Sequence, residues 1–135
     1  MKTIKSTFVL FVLFFSLTVQ AGTVGEVLEI TIDVAPNVLN LNNQGEVITV
    51  HTNIAYSLVS GSSVFLNGVE INSWKADDRG NFVAKFLMAE VKALDMNIGE
   101  LNTLTLVGNT IAGVDFTGSQ EIKVIEVNPV GTGKK

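Results

Sequence analysis

The sequence predicts an all-β fold, an antiparallel β-sandwich of about seven strands with one short connecting helix. Three observations predict it. Apolar and polar residues alternate through most of the chain, the period of a half-buried strand. Turn residues recur at intervals of about 8–12 positions, as in chains built from many short strands. Once a leader-like segment at the N-terminus is set aside, 114 residues remain. That length supports one hydrophobic core and is too short for two.

The leader comes first in the chain. Lys2 and Lys5 supply a positive start, "FVLFVLFF" (8–15) is an unbroken apolar run, and "VQA" (19–21) ends in a small residue suited to a signal peptidase. Ser16, Thr18 and Gln20 interrupt the run well short of the roughly 20 apolar residues that a membrane-spanning helix needs. Residues 1–21 are therefore expected to be a signal peptide cut after Ala21, with no membrane anchor after cleavage. Residues 22–128 would form one domain and 129–135 a flexible tail. The expected location is secreted, extracellular or at the cell surface, with the periplasm as the alternative. There are no cysteines, so no disulfide framework supports the fold, and neither thiol catalysis nor lipid attachment through a cysteine is available.

The strands follow in order. In "VLEITIDVAP", Leu28, Ile30, Ile32 and Val34 alternate with Glu29, Thr31 and Asp33, a single strand ending at Pro36. "EVITVHTNI" puts Ile48, Val50, Thr52 and Ile54 on one face and Thr49, His51 and Asn53 on the other. "SVFLNGVEINSW" holds Asn67-Gly68 between two β-rich runs, and both central residues of a type I′ hairpin turn need positive φ. Strict alternation carried through this segment turns Trp74 outward with Glu70 and Asn72. In "NFVAKFLMA", Phe82, Ala84 and Phe86 share one side. The spacing in "AEVKALDM" then becomes helical over one or two turns. "LNTLTLVGN" and "QEIKVIEV" resume the alternation, and the adjoining Val124 and Ile125 predict either a bulge or a last strand covered on both faces. Taken together these elements suit a sandwich of immunoglobulin-like architecture, with a small closed barrel as the competing all-β arrangement.

The order of these segments resembles a class of immunoglobulin-like repeat modules in secreted and cell-surface proteins of bacteria and archaea. The resemblance rests on Pro36, Leu39 with Asn40, Gly45, the loop 77–81, Val83 with Lys85 and Phe86, and Phe116, Gly118 and Ile122. It implies a fold and an exported, prokaryotic setting, and its motifs carry no catalytic residue.

Charge and motifs narrow the chemistry. With Lys2 and Lys5 gone, seven basic residues face thirteen acidic ones, a net charge near −6. Such a surface repels phosphate backbones, so no nucleic acid is expected. In "ADDRGNF" (76–82), an EF-hand frame with Gly80 at position 6 would put Lys75, Asp77 and Arg79 at ligand positions, and two of those are cations. A looser calcium site from Asp77, Asp78 and Asn81 is the residual metal candidate beside a plain turn. His51 is the only histidine. "SGSSVF" has Phe65 where a nucleophile elbow needs glycine. "VGTGKK" has Asn128 where a phosphate loop needs its first glycine. No cofactor and no enzymatic activity are expected.

Two functions of different class remain. One is a non-catalytic structural, adhesive or protein-interaction module, using exposed strand edges or Trp74 against a protein partner or another copy of itself. The other is a small carbohydrate- or ligand-binding sandwich in which Trp74 and Tyr56 present aromatic surface to a glycan, with calcium as organiser.

Overall fold

The computed structural model describes residues 26–128. The expected signal peptide and tail lie outside the described residues. Within them the chain is an all-β sandwich of two sheets. In order the strands are β1 (Leu28–Glu29), β2 (Ile32–Ala35), β3 (Val38–Asn40), β4 (Val47–Ala55), β5 (Val59–Leu66), β6 (Val69–Glu70), β7 (Ser73–Ala76) and β8 (Asn81–Leu87). Helix α1 (Met88–Lys92) follows, then β9 (Leu101–Thr110) and β10 (Asp115–Ile125). One sheet has the order β1-β10-β9-β5-β6, with β3 also on β10, and the other has the order β2-β4-β8-β7. Both β1 and β3 run parallel to β10, and the remaining neighbours are antiparallel. Among the described residues no helix is long and apolar enough to cross a membrane.

The alternating apolar residues meet between the sheets. Phe82, Phe86, Phe116, Leu39, Ile48, Leu66, Leu104 and Ile122 are all but inaccessible to solvent. The short helix adds Met88 and Val91 to the same core. Burying one such side chain contributes about 1.5–3 kcal/mol. In a chain without disulfides, that burial is the main support of the fold.

The strand expected over 28–35 is two strands in different sheets. Ile30 N–H donates to Thr117 O at 2.9 Å in one sheet, and the next amide, Thr31 N–H, donates to Asn53 Oδ1 at 3.0 Å on the other. The chain thus passes between layers over one peptide unit. Leu28, expected on the core face, is left exposed. A second crossing repeats the device. Ile71 N–H donates to Val64 O, and Asn72 N–H donates to Lys85 O in the opposite layer.

Two local irregularities are repaired by hydroxyls. The β4–β8 register shifts between His51 and Ala55. There buried Thr52 Oγ1 donates to Phe82 O at 2.7 Å and accepts from Ile54 N–H at 3.3 Å. The β5–β9 register shifts between Ser60 and Phe65. Here Ser63 Oγ donates to Ser60 O at 2.6 Å and accepts from Asn109 N–H at 2.8 Å. Each hydroxyl supplies partners that the interrupted ladder cannot.

The predicted hairpin is present, with Asn67 and Gly68 at φ of 47° and 84°. Its Asn67 side chain also pins the neighbouring strand, accepting from Thr105 N–H at 2.7 Å and donating to Thr103 O at 3.1 Å. Of the two alternatives for β10, a bulge or cover on both faces, the bulge is not found. Its pairing with β9 runs unbroken from Asp115 to Lys123, Val124 is in the core, and Ile125 is half-buried on the other side beside Asn40 of β3.

Candidate interaction groove

The acidic loop is a hairpin turn between β7 and β8. Asp77 N–H donates to Asn81 O, and Gly80 N–H donates to Asp77 O. Gly80 follows at φ 83°. This is a type I turn closed by a left-handed residue, one of the common three-residue hairpin loops. Asp77 Oδ1 is already engaged, accepting from Arg79 N–H at 2.8 Å and Asn81 N–H at 2.9 Å. The bond from Asn81 holds the Asp77 carboxyl below its ordinary value against the opposing cost of desolvation. The N–H and the charge of Arg79, and then the charge of His51, add to it. Asn81 contributes its backbone here. No group of three or more His, Asp or Glu side chains converges as a metal site among the described residues.

The outer face of the β2-β4-β8-β7 sheet brings further polar groups to this turn. His51 pairs with Asp33 on one side and Val83 on the other. His51, Asp77 and Arg79 line shallow depressions there. They are exposed or half-buried and alternate in charge, the pattern of a solvated face.

Trp74 does not point outward. It pairs with Ala84, a core residue of β8, so its side chain is on the inner side of β7. The crossing at Ile71–Asn72 changes the phase of alternation, which strict counting along the sequence does not register. The indole reaches over the gap at the sandwich edge and covers Gly61 of β5. One face is packed and the residue keeps 40 % of its exposure. Tyr56 likewise leans on the body of the sandwich, its ring 6.3 Å from that of Phe82. Each candidate aromatic has thus spent much of its surface internally, leaving less for stacking on a sugar. Ser63, from the "SGSSVF" stretch, is committed to the β5 irregularity.

A more apolar depression lies elsewhere. At the end of the sandwich marked by the β9–β10 turn, Val27, Leu28, Leu58, Ile111 and Val114 line a groove of about 750 Å³. Val27, Leu58 and Ile111 expose 53, 51 and 72 % of their surface. The charged residues along it, Glu26 and Glu29, are both acidic. Comparison with protein-family models, curated proteins and solved structures finds no match to this chain.

Sequence reading missed this groove. Leu28 fitted an inward alternation that the layer crossing breaks. Leu58 belongs to a 3-10 turn, and Ile111 to the turn that joins β9 and β10. The available signal was "TIAGV" (110–114), where aliphatic side chains occupy a turn that ordinarily takes polar ones.

Proposed function

We propose that this chain is a non-catalytic protein-interaction module of the structural or adhesive kind, exported to the cell surface or beyond. The observation that carries the reading is the apolar groove at the β9–β10 end. Five aliphatic side chains drawn from three separate segments converge there while remaining in water. Scattered exposed apolar residues are ordinary, but a contiguous set beside charged residues is the usual mark of a surface meant to be covered. Its lining of saturated side chains with two carboxylates suits an aliphatic peptide segment flanked by cations.

Amide chemical shifts of the labelled protein, titrated with synthetic aliphatic peptides carrying basic, neutral or acidic flanks and separately with soluble oligosaccharides, test this. The expected result is saturable shifts confined to residues 27–29, 57–58 and 110–114, strongest with the basic flank. Shifts induced only by oligosaccharides, around Trp74 and Tyr56, would replace this reading with a glycan-binding one.

A further inference from the structure

We infer that the groove is filled by residues 129–135 of a second copy of the same chain, so that copies join head to tail. This rests on the groove being an interaction surface. The segment, "PVGTGKK", contains two apolar residues, Pro129 and Val130, followed by the adjacent cations Lys134 and Lys135. After residue 21 this is the only place where two basic residues adjoin in the sequence. It therefore matches the groove in both respects: an aliphatic part for Leu28, Leu58 and Ile111, and a doubled positive charge for Glu26 and Glu29.

Geometry makes the contact one between copies. The groove sits where β10 begins, since Leu28 and Glu29 pair with Phe116 and Thr117. The segment departs from the other end. Val127 N–H is bound to Asn40 Oδ1, and Val127 O accepts from Asn40 Nδ2, beside the C-terminal end of β10. From Asp115 to Ile125 the strand spans about 33 Å. From Asn128 to Val130, two residues fully extended reach only about 7 Å. The aliphatic part of the segment, Pro129 and Val130, cannot return to its own groove but can enter that of a neighbour. Because donor and acceptor surfaces are different and lie at opposite ends, the contact is heterologous, and repetition extends a row of copies. A symmetric pairing of two grooves would instead set Glu26 and Glu29 of one copy against the same residues of the other.

Sedimentation equilibrium and light scattering on the processed chain test this by charge exchange. The expected result is an average mass that at least about doubles between about 10 μM and about 1 mM protein, the range for a small interface, and that falls as salt is added. Glu26→Lys with Glu29→Lys should abolish the rise, and so should Lys134→Glu with Lys135→Glu. An equimolar mixture of the two double variants should restore a mass at least about twice that of either alone, because each then carries the complement of the other. Glu26 and Glu29 are exposed, and misfolded chains would not regain mass on mixing, so loss of folding does not imitate the result. A monomer at every concentration, a rise indifferent to Lys134 and Lys135, or no restoration on mixing would each overturn the inference. Peptide-induced shifts in the groove of a strictly monomeric protein would leave the interaction reading standing and remove only the self-assembly.

Discussion

The indole of Trp74 on β7 lies against the α-carbon of Gly61 on β5, so that a methyl group placed at residue 61 would collide with three atoms of the ring. This contact closes one open side of the sandwich, and glycine is required there for the close approach it permits. Gly61→Ala should cost about 1–3 kcal/mol in urea unfolding. Trp74 is the only tryptophan, so its displacement should shift the native emission to the red. Trp74→Ala with Gly61→Ala should cost less than the two single changes added together, since the first removes the clash made by the second.

Thr52 provides a test of the repaired ladder. Thr52→Val keeps the shape and removes the hydroxyl shared by Phe82 O and Ile54 N–H, leaving buried backbone groups without a partner. A loss of about 1–3 kcal/mol is expected by chemical denaturation. Thr52→Ser, which keeps the hydroxyl, should recover much of it. Equal losses for both would show that the hydroxyl is immaterial.

Asn67 combines positive φ with two side-chain hydrogen bonds to β9. Asn67→Gly keeps the backbone freedom and loses only the bonds, whereas Asn67→Ala loses both advantages. Alanine is therefore expected to be the more destabilising by about 1 kcal/mol. Thermal or urea unfolding of the pair, compared with the unaltered chain, gives the ranking directly.

The Asp77 turn makes a prediction about pH. Its carboxyl is held below the ordinary value of 3.8 in the folded chain, so the ionised form is the one the fold favours. The stabilisation is complete above that ordinary value and is lost as pH falls through the lower folded value. The urea midpoint should therefore decline less on acidification below about pH 4 in Asp77→Ala than in the unaltered chain. Asp77→Asn, which retains an acceptor for Arg79 and Asn81 but cannot ionise, should share the flatter profile while remaining the more stable variant at neutral pH. Identical acid limbs in all three would show that the turn contributes nothing through its charge.

Much of the core was legible in the sequence because alternation persists within each layer. Ile48, Val50, Thr52 and Ile54 face inward as their spacing requires, as do Phe82, Ala84 and Phe86. Asn67-Gly68 announced its turn through the only residue types that tolerate it well. What escaped was every feature created by the chain changing layers. At Ile30–Thr31 and Ile71–Asn72, consecutive amides bind opposite sheets, and a count of odd and even positions has no term for that. Alternation consequently puts Leu28 inside, where the structure leaves it exposed, and turns Trp74 outward, where the structure lays one face of the indole over Gly61 and leaves the rest in solvent. The groove was hidden for a related reason: its residues come from three segments far apart in sequence, and one of them follows a strand that changes layer just after Glu29.

The attachment of β1 and β3 to β10 joins the start of the domain to its end, across some ninety positions of sequence. During synthesis, therefore, the sandwich has no closing strand until residue 125 has cleared the ribosome. Such non-local pairing also slows folding, because chain entropy must be surrendered before the contacts that compensate for it can form. The nascent chain accordingly lacks the partner of β1 and β3 for nearly the whole length of the described domain.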